Sequence, residues 1–499
     1  MEPKFIGRSN ELALLDRLWE SEKSQFLVLY GRRRVGKTRL LAEWIYRKST
    51  AKPPAKILFW VADQDNQESH LRQFSKAVFE CAYPGSPIPE NFSFNDWETV
   101  WDQLEKLAKA ERVAVFIDEF SYVMESNPAL ASNLQRAWDS ALEKSNIFLC
   151  LSGSHLGMME RGILSGQAPL YGRATGILEL KPLPYGMTGL FFPNYSAEER
   201  VALYSVFGGI PHYWQQIETK QSVDWNVDTL VFSQGGVYRN EDIILLHDFV
   251  KEPQNYVSIL KAIASGYGTP IEIEVATGIR NVHVGQYLSN LVDTGYVIRR
   301  VPVTASGKSR FGRYAIADPF LRFYFRFVAS RLSQIALGQN MQASEELRRH
   351  WVDFIGTYTW EEICREWVLR ASNISGTLPL YPDQIDSAWT KVAQVDVVGV
   401  NFMKKYLILG ECKWTNQREK ASVLRELVES KTERIIPPGA WQVFFLGFSK
   451  EGWNEHASSY ADVINGTKPE GKAGSSQWQV IGMKLLSLTD VDSDLAKWS

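Results

Sequence analysis

Short apolar runs that end in glycine or acid alternate along this chain with segments of helical spacing, the pattern of an α/β protein. Residues 26–30, 113–117 and 146–151 are unbroken apolar runs of the kind buried on both faces of a parallel sheet. Residues 39–46 have helical spacing. Farther on, residues 256–264 place Val257, Ile259, Leu260 and Ile263 on one helical side, residues 272–277 form a second short helix, and residues 281–292 a third carrying Val284, Tyr287, Leu288, Leu291 and Val292. Residues 296–303 and 311–316 then read as a two-stranded ribbon, and residues 394–400 and 405–414 as a hairpin folded about Met403 and Lys404.

At 499 residues the chain is long enough for roughly three or four domains. The apolar fraction of 45% and charged fraction of 22% describe folded globular protein rather than long disorder. A formal net charge of −2 excludes a globally basic coat for nucleic acid, so any such contact has to come from a local patch. Cys81, Cys150, Cys364 and Cys412 lack the paired spacing of a zinc site or disulfide framework. The N-terminus lacks the layout of a signal peptide, and no apolar stretch reaches the roughly 20 residues that cross a bilayer, which places the chain in the cytoplasm and off the membrane.

The first apolar run ends in Gly31-Arg32-Arg33-Arg34-Val35-Gly36-Lys37-Thr38, directly ahead of a helix. In that order, Gly31 and Gly36 let backbone N–H groups turn inward around phosphate oxygens, Lys37 bridges the β and γ phosphates of ATP, and Thr38 offers its hydroxyl to magnesium. Arg34, Val35 and Arg39 complete the candidate nucleotide contacts. The run at 113–117 leads into Asp118, the candidate for the magnesium shell, and Glu119, the candidate that polarises the attacking water. The third run leads into Ser154, a sensor of the γ-phosphate or a polar turn. Arg173 is a candidate for stabilising transition-state charge in its own site or a neighbour's, a surface arginine being the alternative.

Phe5-Ile6-Gly7-Arg8, the loop ending Gly36-Lys37-Thr38, Ile117-Asp118-Glu119, Ser152-Gly153-Ser154, Pro169-Leu170-Tyr171-Gly172-Arg173 and Gly208-Gly209-Ile210-Pro211 follow one another through residues 1–220. Together they resemble the archaeal-type ATPases of the AAA+ superfamily. The resemblance implies that Gly7, Arg8 and Pro211 flank the nucleotide base and that residues 186–245 form a mobile helical lid. A lid arginine is not identifiable, which is similar to the signal-transducing (STAND) branch, where ATP acts as a slow switch.

The three helices and ribbon of the middle region read as a winged helix-turn-helix. Arg299, Arg300, Lys308, Arg310 and Arg313 lie in the ribbon region with no acid between residues 297 and 313. On DNA the third helix would enter the major groove, making Arg280, His283, Gln286 and Asn290 candidate contacts, and the ribbon would hold phosphates. An interdomain packing module with a solvated basic ribbon is the alternative.

Strand alternation puts Glu411 and Lys413 on one face and Cys412 on the other, and the hairpin brings Asp396 opposite Glu411. Two carboxylates and a lysine converging in this way suit a divalent cation, Mg²⁺ or Mn²⁺, that binds a scissile phosphate, with Lys413 orienting the water or steadying developing charge. This region, residues 346–455, resembles the PD-(D/E)XK nuclease superfamily, in the form appended to archaeal-type ATPases. By that resemblance Glu361 is the helical acid and a further metal ligand, with Glu362 as its neighbouring alternative; the superfamily's leading Pro-Asp pair is absent, since Gln394 and Val395 precede Asp396.

The expected architecture is thus an α/β multidomain protein: an ATPase core at 1–185, a lid at 186–245, a winged helix at 246–325, a linker helix at 326–345 and an α/β restriction-endonuclease-like domain at 346–499. The expected function is an ATPase that controls a C-terminal metal-dependent nuclease acting on DNA. The rival is a STAND-like signalling or scaffold ATPase that binds DNA or a protein partner without cutting. A homo-oligomer is compatible with either.

Overall fold

The computed structural model describes residues 5–154, 156–239, 253–305 and 311–499. They fall into two compact units, one ending at Leu183 and taking in Ile210–His212, the other made of Pro184–Gly209 and Tyr213–Ser499. Among the described residues no helix is long and apolar enough to cross a membrane.

In the first unit, β1 (Gln25–Tyr30), β2 (Lys56–Val61), β3 (Val113–Asp118), β4 (Ile147–Gly153) and β5 (Gly176–Glu179) form a sheet in the order β2-β3-β4-β1-β5. All four pairings are parallel. Parallel neighbours require crossovers, and helices Lys37–Ser49, Gln67–Ala82, Trp97–Ala110 and Leu130–Ser140 supply them. Every residue of β3 and β4 is buried, which is why both read as continuous apolar runs. Asp96 starts its helix by accepting the Thr99 N–H, and that helix packs Trp97 and Trp101 against Phe74. Because the strands run the same way, the loops after β1, β3 and β4 all emerge at one edge of the sheet.

The second unit contains the segment expected as a separate lid. Helix Ala197–Phe207 begins with a reciprocal Ser196–Glu199 capping box. It is tied to the last helix, Leu488–Trp498, by an Arg200–Asp492 ion pair of 2.5 Å, and the Tyr185 hydroxyl donates to the same carboxylate at 2.8 Å. Lys450 Nζ adds a 2.6 Å contact to Glu198. Residues 184–209 are therefore packed with the C-terminal half of the chain; residues 240–245 of the expected lid lie outside the described residues.

Helices Pro253–Ala264, Pro270–Thr277 and Asn281–Asp293 precede the antiparallel ribbon of β6 (Val297–Arg300) and β7 (Arg313–Ile316). Thr269 caps the second helix, with Pro270 in its first turn and left-handed Gly278 after its end. Val284, Leu288 and Leu291 are buried on the third, whereas Val292, expected beside them, is exposed because it lies past the edge of that stripe.

Residues 326–345, expected as one linker helix, span the end of Tyr324–Val328, helix Leu332–Ala336 and the start of Asn340–Phe354. Helical segments Pro319–Phe323 and Tyr324–Val328 bury Phe320, Phe323, Tyr324, Phe325 and Phe327, so their aromatics belong to the core. Helix Asn340–Phe354 then continues through a π-helical turn, Ile355–Trp360, into Glu361–Ala371. The boundary expected at 345/346 falls inside this helix, where no chain break in packing exists.

The C-terminal sheet comprises β8 (Gln384–Trp389), β9 (Gln394–Asn401), β10 (Tyr406–Lys413), β11 (Gly439–Ser449), β12 (Glu470–Ala473) and β13 (Ser476–Ser487), in the order β12-β13-β11-β10-β9-β8. β8, β9 and β10 form an antiparallel meander, β10, β11 and β13 are parallel, and β12 pairs antiparallel at the edge.

Glu362 ties several of these pieces together, accepting from Arg322 at 2.7 and 3.2 Å and from Arg300 at 3.2 Å. Burial alone would raise its pKa, but Arg322, Arg300 and Arg365 together hold it below the usual carboxylate value. Its stabilising contribution is therefore complete above about pH 5 and is lost as pH falls through the depressed folded-state pKa. Glu362→Gln strands the buried Arg322 guanidinium and should lower stability by about 3 kcal/mol in denaturant unfolding at pH 7. The deficit should shrink toward pH 3; a pH-independent difference would show that the ion pair is not its source.

Candidate functional site

The loop between β1 and helix Lys37–Ser49 is shaped by three left-handed or otherwise restricted residues. Gly31 has φ +153° and a Cβ there would sit 2.5 Å from the Leu180 carbonyl oxygen. Arg34 and Gly36 have φ of 68° and 102°. The loop closes on Lys37, which is 5% exposed and donates from Nζ to the Gly31 carbonyl at 3.0 Å and the Arg32 carbonyl at 3.3 Å. Burial lowers the Lys37 pKa, while the negative charges of Glu119 and Asp118 oppose that shift. An ammonium group held by neutral carbonyls in this way is ready to exchange them for phosphate oxygens.

Beside the loop, Thr38 Oγ1 donates to Asp118 Oδ2 at 2.5 Å, and Ser152 Oγ donates to Asp118 Oδ1 at 2.5 Å. A hydroxyl and a carboxylate at this separation are hard oxygen donors that could hold a magnesium ion together with phosphate. Glu119 follows at φ 52°, and its Oε2 accepts from the Ser154 N–H at 3.1 Å and from Ser154 Oγ at 2.7 Å. Ser154, read from the sequence as a γ-phosphate sensor, here grips the carboxylate that would polarise water. Gly7 and Arg8 are both left-handed, and Arg8 donates to the Val35 carbonyl at 3.3 Å and the Lys181 carbonyl at 2.6 Å, which puts this pair against the phosphate loop. Pro211 opens the short helix Pro211–Trp214 and belongs to Ile210–His212, the segment that clusters with this unit. Arg39 and Val35 flank the loop on the helix and turn.

Arg173 does not belong to its own chain's nucleotide site. Its guanidinium pairs with Asp139 at 2.9 Å from both Nε and Nη2. Two residues later, the Thr175 N–H donates to the Phe26 carbonyl, at the start of β1. The phosphate loop leaves the other end of that strand, about 15 Å away at 3.3 Å per residue.

In the second unit, β9 and β10 pair in register as far as Gly410 opposite Val397. The next position departs from the ladder: Asp396 Oδ2 accepts the Cys412 N–H at 3.0 Å, and the Asp396 carbonyl accepts from Arg365 Nη1 at 2.8 Å. Burial and then the Glu411 charge raise the Asp396 pKa to about 6. Glu411, 3% exposed, accepts from Lys413 Nζ at 2.9 Å. It also accepts from Lys431 Nζ at 2.8 Å on each oxygen. Lys431 ends a π-helical turn, Glu426–Lys431, and had no sequence signal: only the packing of that helix over the hairpin brings it here.

Glu361 starts the helix after another π-helical turn, and its pKa is raised to about 8 by burial and then by Asp396, with Arg365 opposing at 3.2 Å. Among the described residues no three acid, histidine or cysteine side chains stand close enough to hold a metal ion together. The expected ligand set of Glu361, Asp396 and Glu411 is thus not assembled as a trio: Arg365 holds Glu361 back, and two lysines occupy Glu411. Asp396 and Glu411 remain the pair whose mutual repulsion a divalent cation would relieve.

The expected DNA contacts divide. Arg280, His283 and Gln286 are exposed on the third helix, and Arg299 is exposed on the ribbon. Arg313 is exposed as well and lies over the Trp389 ring at 5.0 Å, whereas Arg300 is part-buried and turns onto Glu362. Asn290 donates to the Tyr256 hydroxyl at 2.8 Å, a packing role. Lys308 and Arg310 lie outside the described residues.

This geometry generates a test of the nucleotide site. Gly31→Ala drives a methyl into the Leu180 carbonyl and should abolish the thermal shift that magnesium–ATP gives the parent. Lys37→Ala and Glu119→Gln should remove ATP turnover. Full turnover by both, in a phosphate-release assay, would overturn the assignment.

Residues 5–217 match a family described as an ATPase domain predominantly from Archaea. Residues 324–424 match a family described as archaeal and bacterial proteins of unknown function. An uncharacterized protein of Methanocaldococcus jannaschii is 29% identical over 418 residues, covering 83% of this chain and 89% of its own. An uncharacterized ATP-binding protein of the same organism is 46% identical over 44 residues, 9% of this chain and 75% of its own. Among solved structures, a Walker-type ATPase of Pyrococcus abyssi aligns over 64% of this chain and 96% of its own, at 19% identity and TM-score 0.46. The ORC2 protein of Aeropyrum pernix aligns over 69% and 96%, at 17% identity and TM-score 0.44. The family match and the phosphate-loop geometry agree: over residues 5–217 the chain carries an archaeal-type P-loop ATPase domain.

Proposed function

We propose that the ATPase domain controls a metal-dependent nuclease formed by Asp396, Glu411 and Lys413 and acting on DNA. The observation that carries this reading is the convergence of two buried carboxylates, Asp396 and Glu411, beside Lys413 and Lys431, with burial and then the Glu411 charge making Asp396 harder to ionise. In the ATPase site, Thr38 and Asp118 would hold magnesium, which screens phosphate charge, while Lys37 binds phosphate oxygens and Glu119, once free of Ser154, orients the water. In the nuclease site, Asp396 and Glu411 would hold a divalent cation that activates a phosphate toward water. Lys413, one-third exposed, steadies the charge that develops on the phosphate, and Lys431 positions Glu411. The three helices and ribbon serve as a winged helix, with Arg280, His283, Gln286 and Arg299 toward DNA. Control follows from the Arg200–Asp492 and Lys450–Glu198 ties: a lid segment fixed to the C-terminal half transmits its own displacement to that half.

A second reading, a signalling ATPase that binds DNA or protein without cutting, is favoured by one observation: Glu411 is already saturated by two lysines. Metal dependence separates the two. Labelled single- and double-stranded DNA and RNA should be cut with magnesium or manganese, and Asp396→Ala or Lys413→Ala should lower the rate by about a hundredfold or more. ATP should change the rate in the parent and not in Lys37→Ala. Absence of metal-dependent cleavage under every nucleotide condition would select the binding reading.

A further inference from the structure

Two of the ribbon arginines, Arg300 and Arg313, line a cavity of about 340 Å³ within the second unit. Arg300 and Arg313 come from the ribbon and Arg322 from helix Pro319–Phe323, and the Tyr358 and Trp389 rings also line the cavity. Its two carboxylates are already engaged. Glu361 pairs with Arg365 at 3.2 Å, and Glu362 takes both Arg322 and Arg300. Arg313 is different: its partners are the Gln394 amide oxygen at 3.4 Å and the face of Trp389. The acid whose charge it influences, Glu272, is spent capping its own helix through the Gly268 and Thr269 N–H groups. A guanidinium stacked on an indole keeps its plane fixed and its edge donors available. Arg313 is exposed where it lines the cavity, and with no carboxylate on it among the described residues its donors are available to an anionic ligand.

The cavity also has the size and mixed lining of a small-ligand site, which typically spans about 300–1,000 Å³ and combines apolar rings with a few fixed polar groups. Trp389 is 6% exposed, and its Nε1 donates to the Phe311 carbonyl at 3.0 Å, so the ring that carries Arg313 is anchored on both sides. Arg322, 3% exposed, is fixed by its bidentate contact with Glu362 and forms the floor.

We propose that this cavity binds a nucleoside phosphate, with the phosphate on Arg313 and Arg300 and the nucleoside beside Trp389 and Tyr358. The ligand is either a free nucleotide or the terminal nucleotide of a strand, since both present the same phosphate monoester next to an aromatic base. Binding here requires no cleavage by the Asp396–Glu411 site, so this proposal and the nuclease reading can fail independently.

The test is equilibrium binding to the full-length chain carrying Lys37→Ala, which weakens competition from the phosphate loop. The probes are a labelled deoxynucleoside 5′-monophosphate and a short single strand with either a 5′-phosphate or a 5′-hydroxyl. Arg313→Ala and, separately, Gly268→Leu are then added. Gly268 lines the cavity, and a Cβ there meets only ordinary contacts at 3.5 Å or more, so the leucine fills space rather than backbone. Each substitution should weaken the bound probe at least about tenfold, the value of one charge-assisted hydrogen bond, while Arg313→Lys restores part of the loss. Tight binding of the monophosphate identifies a free nucleotide; a preference for the 5′-phosphorylated strand over the 5′-hydroxyl strand identifies a strand end. The proposal is overturned if no probe binds at millimolar concentration, or if neither substitution changes affinity in proteins that melt like the parent.

Discussion

Asp118 has no exposed surface, and Thr38, Ser152 and the Glu119 N–H all donate to its carboxylate. A buried carboxylate is costly unless its oxygens are satisfied, so this constraint pulls the start of the phosphate-loop helix, the end of β3 and the end of β4 into one position. β4 lies between β3 and β1 in the sheet, and Ser152 supplies the hydroxyl that bridges the gap. Once Asp118 is held, Glu119 is forced into a left-handed conformation, which costs about 1–3 kcal/mol for a non-glycine residue and places its side chain on Ser154. The chemistry of the site thus rests on a polar cross-link at the edge of a largely apolar sheet.

The second unit is organised differently, by ion pairs that join segments far apart in sequence. Arg200 and Tyr185 meet Asp492, Lys450 meets Glu198, and Glu362 gathers Arg300 and Arg322. Apart from the exposed Glu198 these groups are partly or wholly buried, so breaking such a pair leaves a charge without its partner. They explain why helices near residue 200 and residue 490 pack as one body despite opening and closing the unit in sequence. They also give a physical route by which displacement of Ala197–Phe207 reaches the C-terminal sheet, because the connection is made of specific charge pairs rather than a flexible linker.

At the hairpin the same logic produces a tension. Asp396 leaves the regular ladder to take the Cys412 N–H, Arg365 claims its carbonyl and restrains Glu361, and two lysines cover Glu411. Glu361 and Lys431 both adjoin π-helical turns, where a widened backbone re-aims the following side chains. Acid and base are thus matched closely around a small buried region. The Arg300–Glu362 pair carries that balance along the neighbouring cavity.

What the sequence determined by itself is local and periodic. The buried strands β1, β3 and β4, the glycine loop, and the β9–β10 turn about Met403 and Lys404 all follow from runs, spacing and two-residue alternation, which need no knowledge of distant contacts. The same holds for the placement of Lys413 beside Glu411. Edge strands such as β5 and β12 and the long β13 gave no such pattern, since half-exposed positions carry weak hydrophobic signal. Only tertiary packing decided that Arg173 sits at the far end of β1, that the aromatics of residues 320–327 are core, and that Lys431 reaches Glu411. It also decided that Arg300 turns onto Glu362. Charge in a sequence states what a side chain carries; its partner is chosen by which distant segment packs against it, and that choice appears in no local pattern.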